Sequence, residues 1–151
     1  MIQVMEYQNT DIIEQAVTPG FLRRLAAIFY DLLLLFALLA VAITLLTLPF
    51  GMPTGVRLIA LQLFLFEILP MLFFTGFWSR GGQTLGMRAW RLKLLRADGG
   101  SVTWRDAFKR HLAALLSLLI FGLGFLWMLV DREGLTWHDR LSDTRLVVLK
   151  R

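Results

Sequence analysis

An aspartate inside an apolar run is the first residue of this chain that could do chemistry. In PGFLRRLAAIFYDLLLLFALLAVAITLL, residues 19–46, Asp31 stands among leucines and phenylalanines with Arg23 and Arg24 at the entrance. A lone charge in hydrocarbon is kept only with a partner, a proton or a water-filled cavity. Arg24 precedes Asp31 by two helical turns, roughly 10 Å along one face, too far for an ion pair within the helix. Arg24 can reach headgroups, but the shorter Asp31 cannot. Its partner must come from elsewhere, and Arg110 and Arg140 are the candidates. Either the acid takes part in ion or proton passage, or it belongs to a buried pair that fixes helix packing.

A second acid, Glu67, falls near the middle of the next apolar run, with Gln62 before it and Pro70 after it. A proline cannot donate to the helix ladder and so frees a carbonyl. Glu67, that carbonyl and Gln62 could form an oxygen-lined cation or proton site. A protonated Glu67 bonded to a neighbouring carbonyl would explain the residue equally well. His111 and His138 are the only histidines and cysteine is absent, so no metal site and no cofactor is expected. His138 is placed to share a proton with Asp139 near neutral pH. GGQTLG at 81–86 lacks the GxxxxGK[ST] spacing of a phosphate loop and reads as a tight turn, with Gln83 and Thr84 satisfying local backbone groups. There is no nucleophile elbow, zinc motif or carboxylate pair in a soluble cleft, so the expectation is a protein that is not an enzyme.

The elements that must position these groups are those of a membrane protein. Of 151 residues 57% are hydrophobic, and the mean hydropathy is +0.64, above soluble usage. The net charge of +5 lies between apolar blocks and does not line one helical face, which argues against nucleic acid and for an anionic bilayer surface. Segments 21–48 and 58–77 are each long enough to span, and prolines and glycines separate them. Between 78 and 111 lie Arg80, Arg88, Arg91, Lys93, Arg96, Arg105, Lys109 and Arg110 against Asp98 and Asp106, which marks that loop, and with it the N-terminus, as cytoplasmic. The acidic first twenty residues are wrong for a cleaved signal peptide. A short rhythm at Ile12, Ile13, Ala16 and Val17 predicts a turn or two of surface helix.

The third apolar block, 112–130, is long enough to span. A crossing would leave Arg132, Arg140, Arg145, Lys150 and Arg151 outside, against the charge rule. Segments 91–97 and 144–150 read as strands, and a lone strand leaves its backbone unpaired. Pairing them requires both on one side. The expectation is therefore that FGLG at 121–124 breaks the block into a re-entrant or kinked hairpin, with a third span as the alternative. The fold class is all-α membrane, carrying a short cytoplasmic β-pair. No internal repeat is visible, and the chain divides only into a cytoplasmic segment 1–18 and a membrane unit 19–150. Trp78, Trp90, Trp104, Trp127 and Trp137 sit near span ends, as interfacial indoles do.

PGFLRRLAAIFYDLLLL, SRGGQTLGMRAWRLKLLRADGG and TWHDRLSDTRLVV, in that order and spacing, resemble the RDD family of small integral membrane proteins, named for one arginine and two aspartates. By this resemblance the arginine is Arg24, the first aspartate Asp31 and the second Asp139, with Asp131 the lesser candidate. Met87 stands where many members carry a lysine, and Glu67 matches no part of the pattern. The resemblance implies an inner-membrane protein, with ion transport, in particular sodium and proton exchange, proposed for some members. The expected site is an ion or proton pathway, or a buried charge network, of Arg24, Asp31, Glu67, Arg110, Asp139 and Arg140. It works in a homo-oligomer or with a membrane partner, and the alternative is an accessory subunit of a larger membrane complex.

Overall fold

A computed structural model of the protein describes residues 17–149. The surface turn expected at Ile12, Ile13 and Ala16 lies outside those residues, and Val17 instead makes an antiparallel bridge to Val148. Helix α1, Phe21–Thr47, holds 27 residues with no internal glycine or proline. At 1.5 Å per residue it is about 40 Å long, more than a hydrocarbon core requires. Gly51 and Gly55, both at positive φ, turn the chain into α2, Val56–Gly81. Within α2 the ladder slips at Phe64–Ile68, where the Leu69 N–H bonds five residues back to the Phe64 carbonyl. The cause is Pro70, which has no N–H to continue the regular pattern.

Both helices are apolar enough to cross a membrane, and their most apolar stretches are only 17% and 11% buried. Phe36 and Leu45 are 72% and 69% exposed. Apolar surface on this scale suits lipid and not water. The packed core lies at the polar end instead, where Ala27 of α1 meets Met87, Leu92, Leu94, Val102, Ala107 and Leu146.

That end is built from two short units. After α2 stops at left-handed Gly82, α3 (Leu85–Ala89) leads into β1 (Leu92–Arg96). Later α6 (Trp137–Leu141) leads into β2 (Thr144–Val148). The strands pair antiparallel about Leu94 and Leu146, so the expected β-pair is present among the described residues. Although the sequence shows no repeat, the backbone does. Thr84 and Thr136 cap five-residue helices, Arg91 and Asp143 take φ of 55° and 50° before each strand, and both strands show the same pattern of burial. Every equivalent pair is 52 positions apart, as are the facing residues Leu94 and Leu146. The units are therefore related by an approximate two-fold axis through that pair.

Between the strands runs α4, Trp104–Leu119, which starts earlier than the apolar block because Thr103 and Asp106 form a capping box. Phe121 and Gly122, at φ of 52° and 74°, end it. The chain then bends by 107° into a short helical segment, Leu123–Leu129, whose first turns are α5, Leu123–Leu126. A Cβ on Gly124 would overlap Ser117 and the Trp137 ring, so only glycine lets the bent arm close on α4. The break falls at FGLG as expected, the bend suits a re-entrant hairpin and a broken span alike, and the strands on either side of it pair in one sheet.

Candidate functional site

Asp139 is the centre of the buried polar network. Its side chain is fully buried and completes the capping box of α6 by accepting the Thr136 N–H and facing the first turn of its own helix. Arg24 donates to one carboxylate oxygen at 2.8 Å and Arg110 to the other at 2.6 Å. Arg24 also donates to the carbonyls of Pro19 and Gly134, and Arg110 to Thr144 Oγ1. The Arg110 guanidinium lies over the Trp78 ring, 5.4 Å from its centroid, an arrangement a planar cation favours. Burial would push the Asp139 carboxyl up, but Arg110 and then Arg24 outweigh it and hold the group well below the usual carboxylate range. Two cations around one anion leave the cluster net positive, so removing the anion would strand both guanidiniums.

Asp31 does not meet Arg110 or Arg140 as the sequence suggested. It is 3% exposed and lies against the first unit, where the Thr84 hydroxyl donates to one oxygen and the Gly86 N–H to the other at 2.8 Å. Thr84 Oγ1 in turn accepts the Met87 N–H. Gly86 is needed for proximity, because a Cβ there would run into the Ala27 carbonyl and the Asp31 carboxylate. The seven-residue spacing on α1 thus fastens one helix face to both units, Asp31 to the first and Arg24 to the second. In GGQTLG, Gln83 does satisfy a backbone group, the Leu92 carbonyl, whereas Thr84 and Gly86 do more than a turn requires.

The other expected residues fall elsewhere. Arg140 stays out of the buried network, since it is exposed and pairs with Asp131 at 2.7 Å. Asp131 itself caps the Glu133 and Leu135 N–H groups, which leaves Asp139 as the aspartate that meets Arg24. Glu67 lies at the slipped turn of α2 with its side chain 43% exposed, 3.5 Å from buried His111 Nε2, longer than a well-formed hydrogen bond. His138 does not share a proton with Asp139. Its ring stacks on Phe125, its Nδ1 has no partner, and burial, then the Arg110 charge, push it down to about 3. It is therefore neutral at physiological pH. Among the described residues no three metal-ligating acids or histidines lie together.

Sequence reasoning missed Gly86, Thr136 and Thr144, and gave Thr84 and Trp78 roles other than binding Asp31 and covering Arg110. The Thr136–Asp139 box was visible as a spacing, but the reach of Gly86 to α1 has no local signal. The profile of the RDD family matches residues 18–143, while no curated protein and no solved structure matches the chain. That span takes in Arg24, Asp31 and Asp139, the residues that tie α1 to the two units, and the chain belongs to the RDD family.

Proposed function

We propose that this is a small integral membrane protein of the cytoplasmic membrane, N-terminus inside, that supports proton-linked ion or small-solute movement as an oligomer. The observation that carries the reading is the Glu67–His111 pair. Glu67 sits near the midpoint of α2 (Val56–Gly81), at the slipped turn, where such irregularities often accompany function. Its carboxyl group lies 3.5 Å from a buried imidazole while remaining partly exposed on a mostly apolar helix. A carboxylate and an imidazole at this distance can exchange a proton through a small shift or one water. The exposed side of Glu67 would be costly against lipid, and a second copy of the chain covers it at least cost. Asp31 and Asp139 then serve as fixed structural charges, and Glu67 as the mobile one. The α4–α5 hairpin enters and leaves on the cytoplasmic side.

Purified protein in liposomes containing a pH dye should dissipate an imposed proton gradient when sodium or potassium is added outside, and Glu67→Gln should abolish the response. Intact flux in that variant would remove the reading. Absent flux, with a second membrane protein crosslinked at position 67 in native membranes, would favour the accessory-subunit role.

A further inference from the structure

Where α2 leaves its apolar stretch, a groove of about 450 Å³ opens beside it, within the size range of small-molecule sites. Its floor and walls are Leu72, Phe73, Gly76 and Phe77, and its mouth carries Arg80 and, from α3, Arg88. Positions 72, 73, 76, 77 and 80 share one helical face, so an apolar stripe about 7.5 Å long runs into a cationic end. Gly76 makes the depression, since a Cβ built there has nothing within 4 Å. Arg80 and Arg88 are both exposed, and among the described residues neither has a carboxylate within ion-pair distance. The mouth is held in place because Gln83, also lining it, donates to the Leu92 carbonyl at 2.6 Å. The Gly82 carbonyl likewise accepts the Leu94 N–H. The turn that follows Arg80 is thus anchored to β1, and α3, which carries Arg88, is anchored to α1 through Asp31.

We infer that this groove is a binding site for one anionic phospholipid, its phosphate between Arg80 and Arg88 and the start of an acyl chain along Leu72, Phe73 and Phe77. The order of the lining, apolar along the span and cationic at its end, matches that of a lipid standing in a leaflet. A soluble phosphate compound would use the cationic mouth and leave the stripe empty. Basic pockets at the cytoplasmic ends of spans take headgroups in this way.

Delipidated protein in neutral detergent, titrated with phosphatidylglycerol or phosphatidylcholine and followed by native mass spectrometry, tests the assignment. One phosphatidylglycerol should bind tightly in preference to phosphatidylcholine. Arg80→Gln with Arg88→Gln should weaken it by about thirtyfold, as two juxtamembrane cations would, while Arg105→Gln with Lys109→Gln removes the same charge elsewhere and should change it less than about threefold. Gly76→Leu keeps every charge, fills the groove and should weaken binding by at least about tenfold, a volume effect in a preformed site. Equal losses in the two double variants, unchanged binding in Gly76→Leu, or full displacement by millimolar glycerol phosphate would each overturn the proposal. The last would identify a free-anion site.

Discussion

The unit at 84–96 and the unit at 136–148 share a backbone, a capping threonine and a strand register, yet each meets α1 in a different chemical language. The first unit offers neutral donors, the Thr84 hydroxyl and the Gly86 N–H, to an acid supplied by α1. The second offers its own acid, Asp139, to an arginine supplied by α1 and a second arginine supplied by α4. The third helical position of each unit marks the difference, Met87 in one and Asp139 in the other. With an apolar residue there, the helix N-terminus is left open for a foreign carboxylate. With an aspartate there, the box closes on itself and the surplus charge must be met from outside. Two copies of one scaffold therefore hold a single helix at two heights by complementary means.

The largest effect should come from the charged unit. Asp139→Asn would keep the shape but leave Arg24 and Arg110 side by side without an anion, at a cost of about 3–5 kcal/mol. Thermal unfolding in neutral detergent should show it as a large loss of stability or a failure to accumulate folded protein. A variant as stable as the parent would mean the second unit does not depend on its charge. The neutral unit should fail for steric reasons instead. Gly86→Ala forces a methyl into the Ala27 carbonyl and the Asp31 carboxylate and should cost about 2–3 kcal/mol. Gly76→Ala, in open space, should be neutral or stabilise by up to about 1 kcal/mol. If the two alanines behave alike, the close approach of α3 to α1 is not what holds Asp31.

The last difference between the units shows in their response to pH. His138 occupies the position equivalent to Gly86 and is held down to about 3 by burial and the Arg110 charge. Above its unfolded value near 6.5 neither state is protonated there, and the residue adds no pH dependence. Below that value the unfolded chain takes a proton that the folded chain refuses, so stability falls with pH until about 3. Between pH 7 and pH 5 the loss is about 2 kcal/mol. Stability measured across that window should fall less steeply in His138→Gln, and an unchanged slope would show that burial does not lower the His138 pKa in the folded protein.

Much of the fold was legible because its strongest signals are local. Apolar length gave α1 and α2, Pro70 announced the disturbed ladder beside Glu67, and FGLG marked the hinge of the third block. The β-pair followed from requiring two isolated strands to satisfy each other. Less of the site could be read. Arg24, Asp31, Arg110 and Asp139 were all selected, but Asp31 was given the wrong partners and Arg140 was placed inside a network that it stays out of. Arginines are the natural guess for a buried acid, and nothing local says that a hydroxyl and one backbone N–H will be brought to it first.

By itself, then, the sequence determined which segments are apolar enough to span, where they break, and that Arg24 and Asp31 share one face of one helix, since each of these depends on composition and on the 3.6-residue period. Only the tertiary structure decided which charge meets which, because those contacts join residues as far apart as Arg24 and Asp139. It also decided that two stretches unlike in sequence take the same conformation, because threonine caps and a left-handed residue before each strand constrain the backbone while leaving most side chains free.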